Sequence, residues 1–192
     1  MTRTAQHPIE AWFLERWSAR ALSGEPLAAG ELERLFEAAR WAPSSMNGQP
    51  WRFLYARAGS PAFATFFDLL VPGNQAWCVR ASALLVVVSK TTFDNGNPAR
   101  THSFDAGAAW MSLALQGSRM GLVVHGMQGF DYDAARSRLG VPEDHDVECM
   151  IAVGKPGKIE DLPEGYRARE QPSDRKPIEA FAFEGAFPGG EG

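Results

Sequence analysis

Apolar residues recur along this chain in two periods, one helical and one alternating. The helical period predicts five α-helices, over residues 9–17, 31–41, 61–70, 104–120 and 131–139. The second of these is the clearest, because Leu32, Leu35 and Phe36 mark one face while Glu33 and Arg34 lie on the other. A proline two positions after this helix forbids its continuation, so a loop must follow there.

Shorter runs predict four β-strands, over residues 51–57, 83–90, 122–126 and 147–155. The run "ALLVVVSK" at 83–90 is continuous and rich in β-branched residues, which is typical of a strand buried on both faces. The order of these elements predicts an α+β or three-layer fold around a four-stranded core sheet.

The chain shows neither an internal repeat nor a domain linker, so we predict a single domain over residues 1–192. Everything after Pro156 is rich in proline, glycine and charge, and residues 157–192 therefore predict an extended C-terminal arm. An arm of this length with little core of its own is uncommon. It indicates wrapping around another body, most simply a second copy of the chain.

Composition excludes several classes of function. The formal net charge is -4 and no run of lysine or arginine occurs, so a nucleic-acid partner is not expected. No apolar segment approaches the length of a membrane span, and we expect neither a membrane partner nor an exported protein but a cytoplasmic one. The two cysteines, Cys78 and Cys149, match no metal or redox spacing and are predicted to be buried thiols in a reducing compartment.

Motifs for unaided catalysis are also missing. No G-x-G-x-x-G follows a strand, no G-x-S-x-G occurs, and "AVGKPGK" has Ala152 where a phosphate loop of the Walker A type requires glycine. The four histidines never fall at i, i+4, so no metal site is predicted. No acid and base pair stands out, and we predict no catalytic side chain. If the protein is an enzyme, a bound cofactor carries the reaction.

Two arginines near the N-terminus are candidates for binding a phosphate. Arg16, Ser18 and Arg20 alternate with Trp17 and Ala19, and in an extended segment such alternate residues point to one side. Two guanidinium groups and a hydroxyl suit a phosphate. The alternative, which the spacing leaves open, is a charged helix end with solvated arginines.

The loop "PSSMNGQPW" at 43–51 is more polar than a connector requires. Ser44, Ser45, Asn47 and Gln49 offer hydroxyl and amide groups with no charge, as a flat polar ligand would need. Three further stretches add to this inventory, although each alone is typical of a connector: Asn74 and Gln75 in a predicted loop, "HGMQGF" at 125–130, and Arg175 and Lys176 in "SDRKP". Together they supply cations, neutral hydrogen-bonding groups and glycine-flanked backbone, the inventory of a flavin mononucleotide (FMN) pocket.

At these stretches the chain resembles the nitroreductase family of flavin-dependent oxidoreductases. "AARWAPSSMNGQPWRF" is similar to the family's most specific motif, A-x-x-A-P-S-x-x-N-x-Q-P-W, and "RWSAR" to its N-terminal R-x-S-x-[RK]. "GNQAWCVRASALLVVV", "GMQGFD", "LGVPEDHDVECMIAVGKP" and "DRKPIEAF" extend the resemblance over nearly the whole length. It implies a three-layer α/β/α sandwich around a central, mostly antiparallel sheet, with an extended C-terminal arm embracing the partner subunit of a homodimer.

The resemblance also implies positions around FMN. Within one chain, Arg16, Trp17 (backbone) and Ser18 would hold the phosphate and ribityl end, and Arg20 would lie near the N1/O2 edge. Asn74 would contact the pyrimidine ring, and the N5 region would be bordered by Met127, Gln128 and Gly129. Arg175 would reach the phosphate, or Lys176 if the arm shifts by one residue. The partner subunit would supply the polar loop, namely Pro43, Ser44, Ser45, Met46, Asn47 and Gln49.

The implied reaction is a two-step, ping-pong transfer. NADH or NADPH would deliver hydride to flavin N5, and a nitroaromatic, a quinone or a similar acceptor would then take the electrons. His102, Phe104 and Trp110 are weak candidates for lining the acceptor slot, with core packing or capping as their alternative role. Two other functions stay open: specialised chemistry on the same fold, such as reductive dehalogenation or oxygen-dependent oxidation, and a non-catalytic flavin-binding module.

Overall fold

The computed structural model describes residues 3–188, so both ends of the predicted domain, residues 1–2 and 189–192, lie outside the described residues. Within that range the α-helices are α1 (Ala11–Glu15), α2 (Glu31–Arg40), α3 (Phe63–Asp68), α4 (Pro72–Cys78), α5 (His102–Arg119), α6 (Tyr132–Arg138) and α7 (Glu164–Arg167). The strands are β1 (Trp51–Arg57), β2 (Ala83–Lys90), β3 (Val123–Met127) and β4 (His145–Gly154). None of the helices in this range is long and apolar enough to cross a membrane.

The four strands form one sheet in the order β1-β2-β4-β3, and every neighbouring pair is antiparallel. Seven of the eight residues of β2 are buried, as its continuous β-branched run predicts. The α+β class and the four-stranded, antiparallel core sheet are therefore confirmed.

Side chains of β2 alternate between two hydrophobic clusters, one on each face of the sheet. Leu84 and Val86 pack with residues of α3, α4 and α6, whereas Leu85 and Val87 pack with residues of α2 and α5. The long helix α5 lies against both α2 and the sheet. The period of two in the strand thus decides which helices each strand residue meets.

One predicted helix is much shorter in the structure, and one predicted loop is a helix. The helix predicted over 9–17 covers only Ala11–Glu15, because Arg3 donates to the carbonyl oxygens of Leu14 (2.9 Å) and Arg16 (2.7 Å) where the chain turns extended. The predicted loop around Asn74 is wrong, since this residue lies in α4. Pro72 starts α4 because the fixed φ of proline suits the first turn of a helix. Burial of the last turn of α4 in the hydrophobic cluster then outweighs the low helix propensity of its residues.

The chain after β4 returns to the N-terminal segment. The backbone N–H of Ile178 donates to Oε1 of Gln6 (2.8 Å), and Nε of Arg3 donates to the carbonyl oxygen of Ser173 (2.9 Å). Residues 3–6 and 173–178 therefore lie side by side, which brings Arg3 and Arg175 together.

Gly117 in α5 sets how closely this helix approaches β3. A Cβ built on Gly117 would lie 2.4 Å from Cγ2 of the buried Val124, whereas one built on Gly107, in the same helix, would meet nothing within 4 Å. We expect Gly117→Ala to lower the free energy of unfolding by about 1–3 kcal/mol, through overpacking. Gly107→Ala, the matched control, should raise it by about 0.5–1 kcal/mol because alanine favours the helix. Urea denaturation of both variants tests this; equal effects would contradict the close approach.

Candidate functional site

A cavity of about 260 Å³ lies where the N-terminal segment, β3 and the C-terminal segment meet. It is lined by Arg3, Arg16, Trp17, Ser18, Arg20, His125, Arg169, Gln171, Ser173 and Arg175. No acidic side chain between residues 3 and 188 lines it. We call it the arginine cavity.

The extended segment that carries Arg16, Ser18 and Arg20 is held from two sides. The carboxylate of Glu170 accepts hydrogen bonds from the backbone N–H groups of Arg20 and of the next residue, both at 2.8 Å. On the other side, Nδ1 of His125 lies 2.8 Å from the carbonyl oxygen of Ala19. These bonds replace helical ones, so the chain stays extended and alternate side chains line the cavity.

Arg16 carries an unmet hydrogen-bonding group inside this cavity. Its Nη1 is buried and has no hydrogen-bond partner in the part of the chain that the structure describes. Burial, followed by the positive charges of Arg175 and Arg3, lowers the pKa of Arg16 from its ordinary value. A buried cationic donor without an acceptor is costly, and an anion would supply both the acceptor and the opposing charge. The residues present therefore fit a phosphate group.

The sequence interpretation missed half of the residues that line the arginine cavity: Arg3, His125, Arg169, Gln171 and Ser173. Only His125 could have been found from the sequence, because it is a polar residue at a position of β3 where the alternation, with Val123 and Met127 on either side, predicts an apolar one. Lys176, the predicted alternative to Arg175, lies instead on a neighbouring groove of about 750 Å³ between the chain ends.

The polar loop lies apart from the arginine cavity of its own chain. Met46, Asn47 and Gln49 adopt positive φ angles of 51°, 54° and 45°, a region that non-glycine residues rarely occupy. Met46 is 84% exposed, and Pro43, Ser45, Asn47 and Gln49 are exposed as well, with Ser44 partly so. Strained backbone of this kind costs about 1–3 kcal/mol per residue and is concentrated at ligand sites.

The loop is anchored at one point by a residue that the sequence interpretation did not single out. Asp105, which is buried at the start of α5, accepts a hydrogen bond from the backbone N–H of Ser45 at 3.0 Å. The hydroxyl of Thr101 donates to the same carboxylate oxygen at 3.3 Å. Asp105 therefore fixes the polar loop to the long helix while leaving its side chains exposed.

Asn74 and Gly129 meet although they belong to different elements. Nδ2 of Asn74 donates to the carbonyl oxygen of Gly129 (2.9 Å), and a Cβ on Gly129 would lie 2.7 Å from that nitrogen. Gln128 is exposed beside them. The Met127 side chain instead lies in the core, with Sδ 3.6 Å from Sγ of Cys78, so only its backbone can face a ligand.

The three weak pocket candidates do not line the arginine cavity. His102 belongs to a polar cluster, with Nδ1 2.7 Å from Oγ of Ser89 and Nε2 3.8 Å from Asp146. Phe104 is 79% exposed. Trp110 packs over Gly126, where a Cβ would lie 3.0 Å from its ring, and its indole Nε1 is buried without a partner among residues 3–188.

The thiols are poor nucleophiles. Both cysteines are free; Cys78 is buried and Cys149 partly buried. Burial raises the pKa of Cys78, and burial together with the charge of Glu148 raises the pKa of Cys149 to about 12. Neither thiol is therefore ionised near neutral pH. Residues 3–188 also hold no group of three or more His, Cys, Asp or Glu side chains suited to a metal ion.

Known proteins are similar to this chain in sequence and in fold. A solved structure described as an oxidoreductase containing FMN is 43% identical, with a TM-score of 0.93 over 97% of this chain and 96% of that one. Protein DrgA from Synechocystis is 30% identical over 76% of this chain and 81% of its own length, and NADH dehydrogenase from Thermus thermophilus is 27% identical over 86% and 90%. The model of the nitroreductase family matches residues 14–67 and 64–155. The chain therefore belongs to the nitroreductase family.

Proposed function

We propose that this protein is an FMN-dependent oxidoreductase that uses NADH or NADPH and acts as a homodimer. The observation that carries the proposal is the arginine cavity, with five arginines and no acidic residue among the described residues that line it. It is supported by family membership and by the 43% identical oxidoreductase containing FMN.

The phosphate of FMN is the group that fits the arginine cavity. Arg16 offers a buried, unpartnered Nη1, and Arg175 and Ser173 lie on the same cavity. Five guanidinium groups close together repel one another, and a phosphate dianion offsets that repulsion through charge-assisted hydrogen bonds. Trp17 and Ser18, on the same cavity, would hold the ribityl end, and Arg20 would stabilise the negative charge that grows at the ring edge on reduction.

The residues proposed around the flavin ring are those that the resemblance to the nitroreductase family implies. Asn74, Gln128 and Gly129, with the backbone of Met127, form a neutral hydrogen-bonding surface beside β3. These residues would hold the ring of FMN, which when bound would supply hydride-transfer chemistry between a nicotinamide and a nitroaromatic or quinone acceptor, in a ping-pong sequence. The candidates for the acceptor slot remain His102, Phe104 and Trp110, since none of them lines the arginine cavity.

The second subunit completes the site in this proposal. The polar loop from Pro43 to Gln49 is exposed and strained in a single chain, as expected of residues that serve a partner's cofactor. Phe181, Phe183 and Phe187 of the C-terminal arm are exposed too, which favours an arm that embraces the partner. The chain is then one domain, a three-layer α/β/α sandwich whose two hydrophobic clusters flank the sheet.

Anaerobic titration with each nicotinamide tests the proposed function. Oxidised flavin absorbs blue light, and we expect this absorbance to decrease on addition of NADH, NADPH or both. Adding a quinone or a nitroaromatic compound should then restore it in a separate step, without ternary complex formation. A flavin that stays oxidised with both nicotinamides would contradict the proposal.

A further inference from the structure

His125 occupies an apolar position of β3. Strand residues point alternately to opposite faces, so His125 lies on the same face as Val123 and Met127, both part of the hydrophobic cluster there. Its own exposed fraction is 8%, and its ring packs on that of Trp77 with centroids 4.6 Å apart. A histidine that only filled the core would be replaceable by an apolar residue, yet this one lines the arginine cavity.

The proton on the ring of His125 is fixed by its neighbour. Nδ1 lies 2.8 Å from the carbonyl oxygen of Ala19, and a carbonyl can only accept, so Nδ1 carries the hydrogen. Burial, the largest influence, lowers the pKa of His125 below its ordinary value. The hydrogen bond to Ala19 and the charge of Glu170 oppose this, the charges of Arg20 and Arg16 add to it, and the pKa remains lowered. The ring is therefore neutral at pH 7, and its Nε2 bears a lone pair.

That lone pair has no hydrogen-bond partner among the residues that the structure describes. On the cavity wall Arg175 already donates to the hydroxyl of Ser173 at 3.1 Å, and the N–H groups of the arginines suit a phosphate better than a neutral nitrogen. A neutral lone pair opposite a phosphate dianion would be repulsive, because neither side has a hydrogen to donate. A ligand hydroxyl can donate a hydrogen bond to Nε2 and therefore suits this position.

We propose that His125 is a specificity-determining residue of the arginine cavity, accepting through Nε2 a hydrogen bond from one hydroxyl of the ligand's polyol chain. The ligand class is then a phosphorylated polyol, with the anion on the arginines and a hydroxyl on His125. This inference rests on the proposed binding of FMN, whose ribityl chain carries three secondary hydroxyls and ends in a phosphate.

Two substitutions separate the two ring nitrogens. His125→Asn places an amide N–H near the position of Nδ1, so it keeps donation to Ala19 and loses the acceptor at Nε2. His125→Gln places an amide oxygen near the position of Nε2 and loses the donor to Ala19. A merely structural histidine would make both variants less stable and leave the preference among ligands unchanged.

The test is a binding cycle between these variants and FMN analogues that each lack one ribityl hydroxyl, measured by quenching of flavin fluorescence on apoprotein. For one of the three analogues, wild type should lose about five- to tenfold in affinity relative to FMN. His125→Asn should bind FMN and that analogue within about twofold of each other, because the pair is already broken. His125→Gln should recover part of the discrimination.

Three outcomes would overturn the inference. If His125→Asn discriminates against all three analogues as wild type does, no hydroxyl is paired with His125. If the variant weakens FMN and every analogue equally and leaves riboflavin unchanged, His125 acts on the phosphate instead. Should the asparagine variant fail to fold, a wild type that binds every analogue as tightly as FMN would overturn the inference by itself. Binding of FMN itself by wild type tests the proposed function separately.

Discussion

Arg16→Ala is expected to weaken FMN binding about ten- to a hundredfold. The substitution removes a buried cationic donor, and a charge-assisted hydrogen bond to phosphate contributes about 1.5–3 kcal/mol. In the structure Nη1 of Arg16 has no partner among the described residues, so no internal bond is lost that could offset or mimic the effect. Fluorescence titration of apoprotein with FMN measures the change.

Two controls make the Arg16 result specific. Riboflavin lacks the phosphate, so wild type and Arg16→Ala should bind it with similar affinity. Arg138→Ala removes the same charge from an exposed position on α6, outside the arginine cavity, and should leave FMN affinity unchanged. An unchanged FMN affinity for Arg16→Ala, or an equal loss for riboflavin, would contradict the assignment of Arg16 to the phosphate.

Mixing two inactive variants is expected to restore activity. Arg16→Ala damages the arginine cavity, and Asn47→Ala damages the polar loop, which the proposal assigns to the opposite subunit's site. Random assembly of equal amounts gives about half mixed dimers in a closed two-fold pair. Each mixed dimer holds one site with both lesions and one with neither, so about a quarter of wild-type activity should return.

The mixing experiment has a clear negative result. If every residue of a site came from one chain, each site would carry one lesion and mixing would restore nothing. Size-exclusion chromatography of each variant is the control for dimer formation, and both must be nearly inactive alone at the FMN concentration used. Given those controls, the absence of recovery would contradict the shared site.

Local patterns predict most of this fold because its core elements carry either one apolar face, as in α2, or a continuous apolar run, as in β2. The run at β2 and the apolar stripe of α2 could be interpreted alone, and both are confirmed. Helix α4 could not, because its sequence "PGNQAWC" contains weak helix formers. Its stability comes from contacts with distant residues, such as the bond from Asn74 to Gly129, 55 positions away.

The candidate site was predictable where a motif marks it. The alternation of Arg16, Ser18 and Arg20 and the polarity of the loop are visible in the sequence, and the structure places these three residues and Arg175 on one cavity. No motif marks Arg3 or Arg169. They line the cavity only because the N-terminal and C-terminal segments lie together, as in the hydrogen bond from Arg3 to Ser173 across 170 positions.

The central claim is that the arginine cavity binds the phosphate of FMN, and the flavin that leaves the denatured protein tests it most directly. Gently purified protein should be yellow and should release FMN in an amount close to one per chain, identified by chromatography of the supernatant. One terminal phosphate matches the cavity's set of arginines, and the sequence holds no adenylate-binding motif. Stoichiometric FAD in that supernatant would contradict the account.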